Sequence, residues 1–381
     1  MLEQWTAEQV ELRSAVTEWA RKIGAGATER EKSDEFDWNA WSLIKQSGIL
    51  RLPFSETYGG LDQDLLTTLY SLEGFGYGCE DGGLSFVTST HIVSSGIAIS
   101  RFGSPEQKAR FLPGICDGAL VGSHAITEPS GGSDAFQMKT RAVKGDAGYV
   151  LNGSKTFISN APIADLIVVY AMTDPERGAL GGSSVFIVEK NTPGLSIGKP
   201  LEKMGLKSAP MSEVFFSDCV VPEENRLGKE GMGFAILDYV MKWEILCSFG
   251  INVGEMARRL EKCIEYAKMR KQFGNPISSY QAISHKLAKM KIELETARLW
   301  LYHTAQKFQA NKNVSLDLAI TKLLTSESNA DSAMEAVQIF GGYGYMVEYG
   351  LERELRNAVA GRIYSGTSEI QRNRIAKLIG V

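Results

Sequence analysis

Apolar side chains recur at the spacing of a helix face near the start of the chain and again through its last third. Near the start, Val16 and Ala20 lie on such a face, and residues 6–9 (TAEQ) form a capping-box pattern that predicts a helix beginning at residue 7. Residues 104–107 (SPEQ) repeat the pattern, with proline at the first helical position, where its missing N–H costs nothing. We therefore expect residues 1–118 to form a helical domain.

Short β-rich runs replace the helical spacing after Leu120. The stretches that predict strands are residues 149–151, 156–158, 166–171, 184–188 and 214–216. The first two flank Asn152 and Gly153, a dipeptide typical of a type I′ turn, so we expect a hairpin there. These features predict a middle β domain over residues 119–225.

The helical period returns after Pro222 and persists. The apolar positions that carry it are Leu287, Met290, Ile292, Leu294, Leu299, Leu301, Ile320, Leu323 and Leu324. Their spacing predicts several long helices that pack as a bundle over residues 226–381. The expected fold class is therefore mainly α with a central β domain.

Composition and charge narrow the possible classes of protein. The 381 residues are 44% hydrophobic and 23% charged, which is typical of a globular chain and excludes a disordered one. The 41 basic and 45 acidic side chains leave a formal charge of -4, which argues against a nucleic-acid or polybasic membrane protein. No run approaches the ~20 apolar residues of a membrane span, and no signal peptide is evident, so we expect a cytoplasmic protein. The five widely spaced cysteines lack a C-x-x-C pair, so we expect reduced thiols in the core and no metal site.

One hydrolase-like motif is present without its usual context. Residues 194–198 (GLSIG) match G-x-S-x-G, the nucleophile elbow of esterases, which requires a helix directly after the serine. Lys199 and Pro200 follow instead, so a turn in the β domain is the favoured interpretation, with a serine hydrolase as a weak alternative.

Three turns rich in glycine and hydroxyl side chains carry more information. They are residues 127–134 (TEPSGGSD), 340–345 (FGGYGY) and 365–371 (SGTSEIQ). In the last one, Ser368 and Gln371 form a capping-box pattern, which predicts a helix start whose free N–H groups suit an anion. Each turn is a weak signal alone, but all three occur together with residues 270–277 (RKQFGNPI).

These segments, in this order, resemble the acyl-CoA dehydrogenase superfamily over essentially the whole chain. The matching motifs are residues 125–134 (AITEPSGGSD), 152–160 (NGSKTFISN), 270–277, 338–342 (QIFGG) and 363–371 (IYSGTSEIQ). The resemblance implies a helical N-terminal domain, a middle β-barrel and a C-terminal four-helix bundle. It also implies bound FAD and usually a homotetramer.

The resemblance assigns roles position by position. The residues expected to bind FAD are Ile126, Thr127, Gly132, Ser133, Phe157, Ile158 and Ser159, and Thr367 and Glu369 lie where the family also contacts the cofactor. The residues expected to grip the FAD of a neighbouring subunit are Arg270, Phe273, Gln281, Gln338, Gly341 and Gly342. Tyr364, Ser365 and Gly366 are expected to contact the substrate, with the backbone N–H of Ser365 holding a carbonyl oxygen.

The catalytic base departs from the commonest family pattern. That pattern has a glutamate directly after the tyrosine of the Ile-Tyr segment, but here the position is Ser365, whose hydroxyl cannot remove a Cα proton unaided and is expected to be dispensable. Some members place the glutamate 26 residues before the arginine of the Arg-x-x-Phe-Gly segment, which corresponds to Glu244. Its apolar neighbours should raise its pKa toward that of a working base; the alternative is an exposed or ion-paired helical glutamate. Most relatives have arginine next, whereas here Ile245 follows, which puts a CoA-type contact in doubt.

Further details are similar to the prolyl-carrier-protein dehydrogenases and oxidases of pyrrole and anatoxin-type pathways. They are residues 160–165, 178–181 and 284–291, the Trp243–Glu244 pair and Ser365. This branch implies α,β-dehydrogenation of a prolyl thioester, carried on phosphopantetheine, to a pyrroline or pyrrole thioester. Glu244 would take the Cα proton and flavin N5 the Cβ hydride, while direct C–N oxidation stays open.

Two other functions and several partners remain open from the sequence. The alternatives are a dehydrogenase of CoA thioesters and a flavin-binding scaffold without catalysis. Reduced flavin would pass electrons to oxygen or to a flavoprotein. A local cationic segment could dock an acidic carrier protein, although a solvated helix face is an alternative; its members are Arg258, Arg259, Lys262, Lys268 and Lys271.

Overall fold

The capping boxes predicted at Thr6 and Ser104 are present in the computed structural model, which describes residues 5–33, 35–135 and 137–381. Thr6 and Gln9 exchange their capping hydrogen bonds at the start of the first helix, and Ser104 and Gln107 do so at the start of the seventh. The N-terminal helices are α1 (Ala7–Gly24), α2 (Ala27–Arg30), α3 (Trp38–Gln46), α4 (Leu65–Gly78), α5 (Gly82–Thr90), α6 (Ala98–Phe102) and α7 (Pro105–Cys116). A π-helical turn over His91–Ile97 joins α5 to α6. Residues 1–4, which the signal-peptide expectation includes, lie outside the described residues.

The middle of the chain forms one sheet. Its strands are β1 (Gly122–Ala125), β2 (Arg141–Gly145), β3 (Gly148–Ser159), β4 (Leu166–Met172), β5 (Ser183–Glu189), β6 (Leu195–Ile197), β7 (Met211–Val221) and β8 (Arg226–Leu227). The order is β6-β7-β3-β2-β4-β5-β8, and β1 pairs in parallel with β4. A short helix, α8 (Gly178–Gly181), lies between β4 and β5. Ser196 of the esterase-like motif lies on β6 opposite Phe215, so these residues do not form a nucleophile elbow.

Strand β4 is buried on both faces, which explains its unbroken apolar run. Ile167 and Val169 belong to the core of the β domain. Val168 and Tyr170 point the other way and join the core shared with the helices. One face of this sheet therefore forms the wall against which the helical domains pack.

The hairpin predicted at Asn152 and Gly153 is wrong. Strand β3 continues through both residues, and its register against β7 shifts there. Gly153 has φ +144, and a Cβ at this position would lie 2.6 Å from Thr140 Oγ1, so glycine permits a bulge and a close approach to the next strand. The tight turn instead joins β2 to β3 between Gly145 and Gly148.

The C-terminal part is a bundle of long helices. They are α9 (Gly233–Met269), α10 (Gln281–Gln309), α11 (Ser315–Phe340), α12 (Leu351–Ala360) and α13 (Ser368–Ile379), with a small ribbon of β9 (Lys271–Gln272) and β10 (Asn275–Pro276) after α9. The capping box predicted at Ser368 and Gln371 is wrong in detail, because Thr367 is the N-cap and accepts from the N–H of Ile370. The helix itself begins at Ser368, one residue earlier than the predicted cap implies.

The expected mainly helical fold with a central β domain is confirmed. The change from helix to strand after Cys116 and back to helix at Gly233 falls near the expected domain boundaries. All five cysteines are buried and free. Among the described helices, none is both long and apolar enough to cross a membrane.

Candidate active site

Glu244 of α9 accepts hydrogen bonds from two serine hydroxyls that are far away in sequence. Ser365 Oγ donates to its Oε1 at 2.6 Å, and Ser94 Oγ donates to its Oε2 at 3.2 Å. Burial raises the pKa of Glu244, and the two hydroxyls act in the opposite direction. The predicted rise in pKa is confirmed, and within the described residues Glu244 has no ion-pair partner.

Two tyrosines also lie near enough to Glu244 to be affected by its charge. Tyr170 comes from β4 and Tyr364 from the segment after α12. Burial raises the pKa of both hydroxyls and the charge of Glu244 adds to the rise, so both stay neutral. The two tyrosine hydroxyls therefore do not supply a base, and Glu244 is the candidate base among these three groups.

Ser94 reaches Glu244 from the π-helical turn, which tertiary contacts hold in place. His91 Nδ1 accepts from the N–H of Gly122 at 3.1 Å, which leaves Nε2 to donate to the carbonyl of Ile115 at 2.9 Å. Burial lowers the pKa of His91 to about 4, so the ring is neutral, as this pair of bonds requires. The next serine, Ser95, donates to the carbonyl of Ser123 on β1 at 2.8 Å.

The same contacts continue to the strand expected beside the flavin. Ser123 Oγ donates to the carbonyl of Ser159 at 2.7 Å, at the end of β3. Glu244, the π-helical turn, β1 and the end of β3 therefore form one continuous cluster. These contacts connect the region of Glu244 to Ser159, which follows Phe157 and Ile158 on β3, and to β1, which directly precedes Ile126 and Thr127.

The segment after α12 is held so that one backbone donor stays free. Ser365 and Gly366 have φ +54 and +89, and Gln371 Nε2 donates to both of their carbonyls. Within the described residues, the N–H of Ser365 donates to no protein acceptor. The ring of Tyr364 packs against Phe249. A rigid segment with a free N–H beside a carboxylate can hold a carbonyl oxygen next to a base.

A buried ion pair supports the segment of Ile126 and Thr127. Lys155 Nζ lies 2.9 Å from Glu128 Oε1 and 2.9 Å from the Ile126 carbonyl, with the ammonium end fully buried. Burial lowers the pKa of Lys155 to about 8 although Glu128 opposes the change. Glu128 also accepts from the N–H of Lys139. Neither Glu128 nor Lys155 was singled out from the sequence, because nothing local indicates that β3 carries its lysine inward.

The surface beside this segment fits a flat aromatic group. Phe157 is 63% exposed at φ +57, while Thr156 and Ile158 on either side are buried. Gly132 and Ser133 are exposed in the neighbouring turn. The exposed ring of Phe157 could pack against the apolar face of an isoalloxazine. The turn with Gly132 and Ser133 could contact its polar edge.

Thr367 and Glu369 line a cleft of ≈ 340 Å³ at the start of α13. Arg362 and Arg372 also line the cleft, and both pair with Glu327. The two guanidiniums are donors that suit a dinucleotide's phosphates.

The remaining expected cofactor residues gather at the opposite end of α9. Arg270 lies over the ring of Tyr343 at 5.6 Å, and Tyr266 stacks on Phe340 at 3.8 Å, which joins the turn after α9 to the end of α11. The residues of this second group are all exposed: Arg270, Phe273, Gln281, Gln338, Gly341 and Gly342. A Cβ added at Gly341 or Gly342 would meet nothing within 4 Å.

The length of α9 keeps the two groups apart. Glu244 and Arg270 are 26 residues apart on one helix, which corresponds to about 39 Å at 1.5 Å per residue. One chain therefore cannot bring Arg270 to its own Glu244 site. This separation agrees with the expectation that the second group serves a neighbouring subunit.

The predicted cationic dock over residues 258–271 is wrong for Arg258 and Arg259. Arg259 is 1% exposed and pairs with Glu354 at 2.7 Å, and Arg258 turns inward to donate to the Gly76 and Cys79 carbonyls. The remaining members are Lys262, which donates to the carbonyl of Tyr349, and the exposed Lys268 and Lys271. Arg258 and Arg259 of α9 therefore form contacts between helices and do not form a docking surface.

Three family models match consecutive parts of the chain. The N-terminal, middle and C-terminal domains of acyl-CoA dehydrogenases match residues 6–119, 123–219 and 231–380. Among curated proteins, the chain is 43% identical over 348 residues to the L-prolyl-[peptidyl-carrier protein] dehydrogenase of Pseudomonas fluorescens, covering 91% of each chain. It is 41% identical to the protein of that name from a Serratia species, covering 90% of this chain and 88% of the relative.

Solved structures with the same fold include proteins named for different substrates. The prolyl acyl carrier protein oxidase AnaB superposes with a TM-score of 0.96 at 41% identity, covering 99% of this chain and 100% of the other. PigA with FAD and proline gives a TM-score of 0.96 at 38% identity, covering 100% and 99%. Butyryl-CoA dehydrogenase from Megasphaera elsdenii gives 0.94 at 36% identity, covering both chains fully.

Proposed function

Because the chain belongs to the acyl-CoA dehydrogenase family, we propose that it is an FAD-dependent enzyme that oxidises a prolyl thioester held on the phosphopantetheine arm of a peptidyl-carrier protein. The product is a pyrroline carboxyl thioester, or a pyrrole thioester after a second oxidation. The observation that carries the proposal is the partly buried carboxylate of Glu244, held by two serines beside a free backbone N–H. The similarity to prolyl-carrier dehydrogenases over nine tenths of the chain supports the choice of substrate.

The residues of this chain fit FAD. Bound FAD supplies a two-electron acceptor that takes a hydride from the substrate. The Ile126–Thr127 segment, Phe157 and Ser159 would hold its ring, and the cleft with Thr367 and Glu369 would hold its polar part. The distant group around Arg270 would contact the cofactor of a neighbouring subunit.

Glu244 acts as the base. One of its oxygens receives the Cα proton of the prolyl group, which the thioester carbonyl acidifies. The raised pKa of Glu244 brings the carboxylate closer to the basicity that this proton transfer requires. The N–H of Ser365 donates to the carbonyl oxygen as negative charge develops there, and this bond is stronger in the transition state than in the ground state.

The proposal also covers the acceptor of the flavin's electrons and the oligomeric state. We expect reduced enzyme to pass electrons to oxygen or to a flavoprotein, and we expect a homotetramer. Large apolar side chains that are exposed in the single chain support the second expectation; they include Phe273, Ile292, Leu299, Met334 and Ile379.

The substrate is tested by incubating the purified protein with prolyl-loaded carrier protein and, separately, with prolyl-CoA and straight-chain acyl-CoAs. Mass spectrometry then detects the loss of two or four hydrogens. Oxidation of the prolyl carrier protein is the expected result. Product only from acyl-CoAs would instead identify a CoA-thioester dehydrogenase, and flavin binding without turnover of any thioester would identify a scaffold.

A further inference from the structure

Both oxygens of the Glu244 carboxylate accept a hydroxyl from an irregular segment of backbone. Ser365 has φ +54, a left-handed conformation that is uncommon for a residue with a Cβ. Ser94 lies in the π-helical turn His91–Ile97, an arrangement that is frequent at functional sites. Some serines in the regular helices, such as Ser14, return their hydroxyls to a carbonyl of their own helix. Ser94 and Ser365 instead direct theirs to α9.

Other contacts hold these two segments independently of Glu244. His91 ties the π-helical turn to the N–H of Gly122 and the carbonyl of Ile115. Gln371, which is fully buried, ties down the carbonyls of Ser365 and Gly366. The positions of the hydroxyls are therefore set by the framework, so they are available to orient the carboxylate.

We propose that Ser94 and Ser365 are positioning residues for Glu244, which orient its carboxylate and favour its ionised form. This inference rests on the proposed function, in which Glu244 is the base. It assigns a purpose to the hydroxyl of Ser365, which the sequence suggested was dispensable. Each carboxylate oxygen keeps a further lone pair for the incoming proton, because a hydroxyl occupies only one.

The groups around Glu244 leave the two serine hydroxyls with a strong effect on its ionisation. The titratable groups affected by Glu244 are Tyr170 of β4 and Tyr364 before α13, and both are neutral. Among the described residues, no lysine, arginine or histidine contributes to its pKa. The two hydroxyls therefore oppose the effect of burial, because hydrogen bonds to a charged acceptor are stronger than those to a neutral one.

The test compares Ser365→Gly, Ser365→Ala and Ser94→Ala with the wild-type holoenzyme in the pH dependence of kcat and kcat/KM for prolyl carrier protein. Loss of either hydroxyl should shift the ascending limb to higher pH by about one unit, which lowers kcat about tenfold at a fixed pH on that limb and leaves most of it at high pH. Glycine suits φ +54 whereas alanine strains it, so equal shifts in both Ser365 variants assign the effect to the hydroxyl.

Ser248→Ala is the matched control. Ser248 is also buried on α9, one turn after Glu244, but its hydroxyl pairs with that of Ser89 at 2.8 Å. Its pH profile should match the wild type. Infrared titration of the carboxyl band, taken as the difference from Glu244→Gln, reports the pKa of Glu244 without substrate and should show the same upward shifts.

Unchanged profiles and an unchanged carboxyl titration in Ser365→Gly and Ser94→Ala would overturn the inference, as would a loss of kcat that is equal at every pH. Wild-type enzyme that does not oxidise prolyl carrier protein would contradict the proposed function instead. The carboxyl titration separates these two failures, because it requires no turnover.

Discussion

The ammonium of Lys155 lies 2.9 Å from Oε1 of Glu128 inside the β domain, and the same ammonium donates to the carbonyl of Ile126. This pair fixes the backbone that is expected to meet the flavin ring. We predict that Lys155→Met lowers the free energy of unfolding by about 3–5 kcal/mol, because it leaves the Glu128 carboxylate buried without its cation. Urea denaturation followed by circular dichroism measures the loss.

Lys144→Met on the neighbouring strand β2 is the control. Lys144 pairs with Glu223, but the two side chains are 58% and 49% exposed. Removing such a pair should cost less than about 1 kcal/mol. Equal losses from the two variants would contradict a special contribution of the buried pair.

The base assignment predicts a large and selective effect of Glu244→Gln. An amide cannot take the Cα proton, so kcat should fall by about 10²–10⁴-fold while FAD content and unfolding temperature stay near wild type. Stopped-flow measurement of flavin reduction by prolyl carrier protein gives the rate. Glu265→Gln, an exposed glutamate on the same helix, should retain full activity. Retained turnover in Glu244→Gln would remove Glu244 as the base.

Because His91 is buried and neutral, we predict that the fold becomes less stable at acidic pH. Burial lowers the pKa of His91 from 6.5 to about 4 and that of His124 to about 3, so the unfolded chain binds protons that the folded chain does not. The free energy of unfolding should therefore be unaffected by His91 above pH 6.5. Between about pH 6.5 and 4 it should fall by at most about 1.4 kcal/mol per pH unit from this residue.

Urea titrations at several pH values test this with His91→Gln, which keeps one donor and one acceptor but does not titrate. Its slope of stability against pH should be shallower than that of the wild type. His285→Gln, at an exposed histidine of α10, should leave the slope unchanged. Identical slopes for all three proteins would contradict the assignment to His91.

The separation of about 39 Å along α9 predicts that Arg270 acts between subunits. Arg270→Ala should weaken FAD binding by about 10- to 100-fold, the range expected for lost hydrogen bonds to a charged group. The exposed position of Arg270 predicts an unchanged unfolding temperature for the apoprotein. FAD retained after gel filtration measures the effect, and Lys268→Ala, an exposed cation nearby, is the control. If both variants retain FAD equally, Arg270 does not contact the cofactor.

The sequence was most informative where a signal is local or belongs to a family motif. The capping boxes at Thr6 and Ser104 identify helix starts because their hydrogen bonds join residues three apart. Glu244 could be found because its spacing from Arg270 follows one uninterrupted helix. The turn signal at Asn152 and Gly153 failed because a neighbouring strand required a bulge there.

The sequence by itself determined the order of helical, β and helical parts, and its family resemblance pointed to the glutamate proposed as the base and to the segments expected to meet FAD. Only the tertiary structure decided that Ser94 and Ser365 hold that glutamate, and that Arg258 and Arg259 are turned inward to the core. The physical reason is that these contacts join residues about a hundred or more positions apart. Their partners depend on how α9 packs against the π-helical turn, α4 and α12, and no local pattern of residue types specifies that packing.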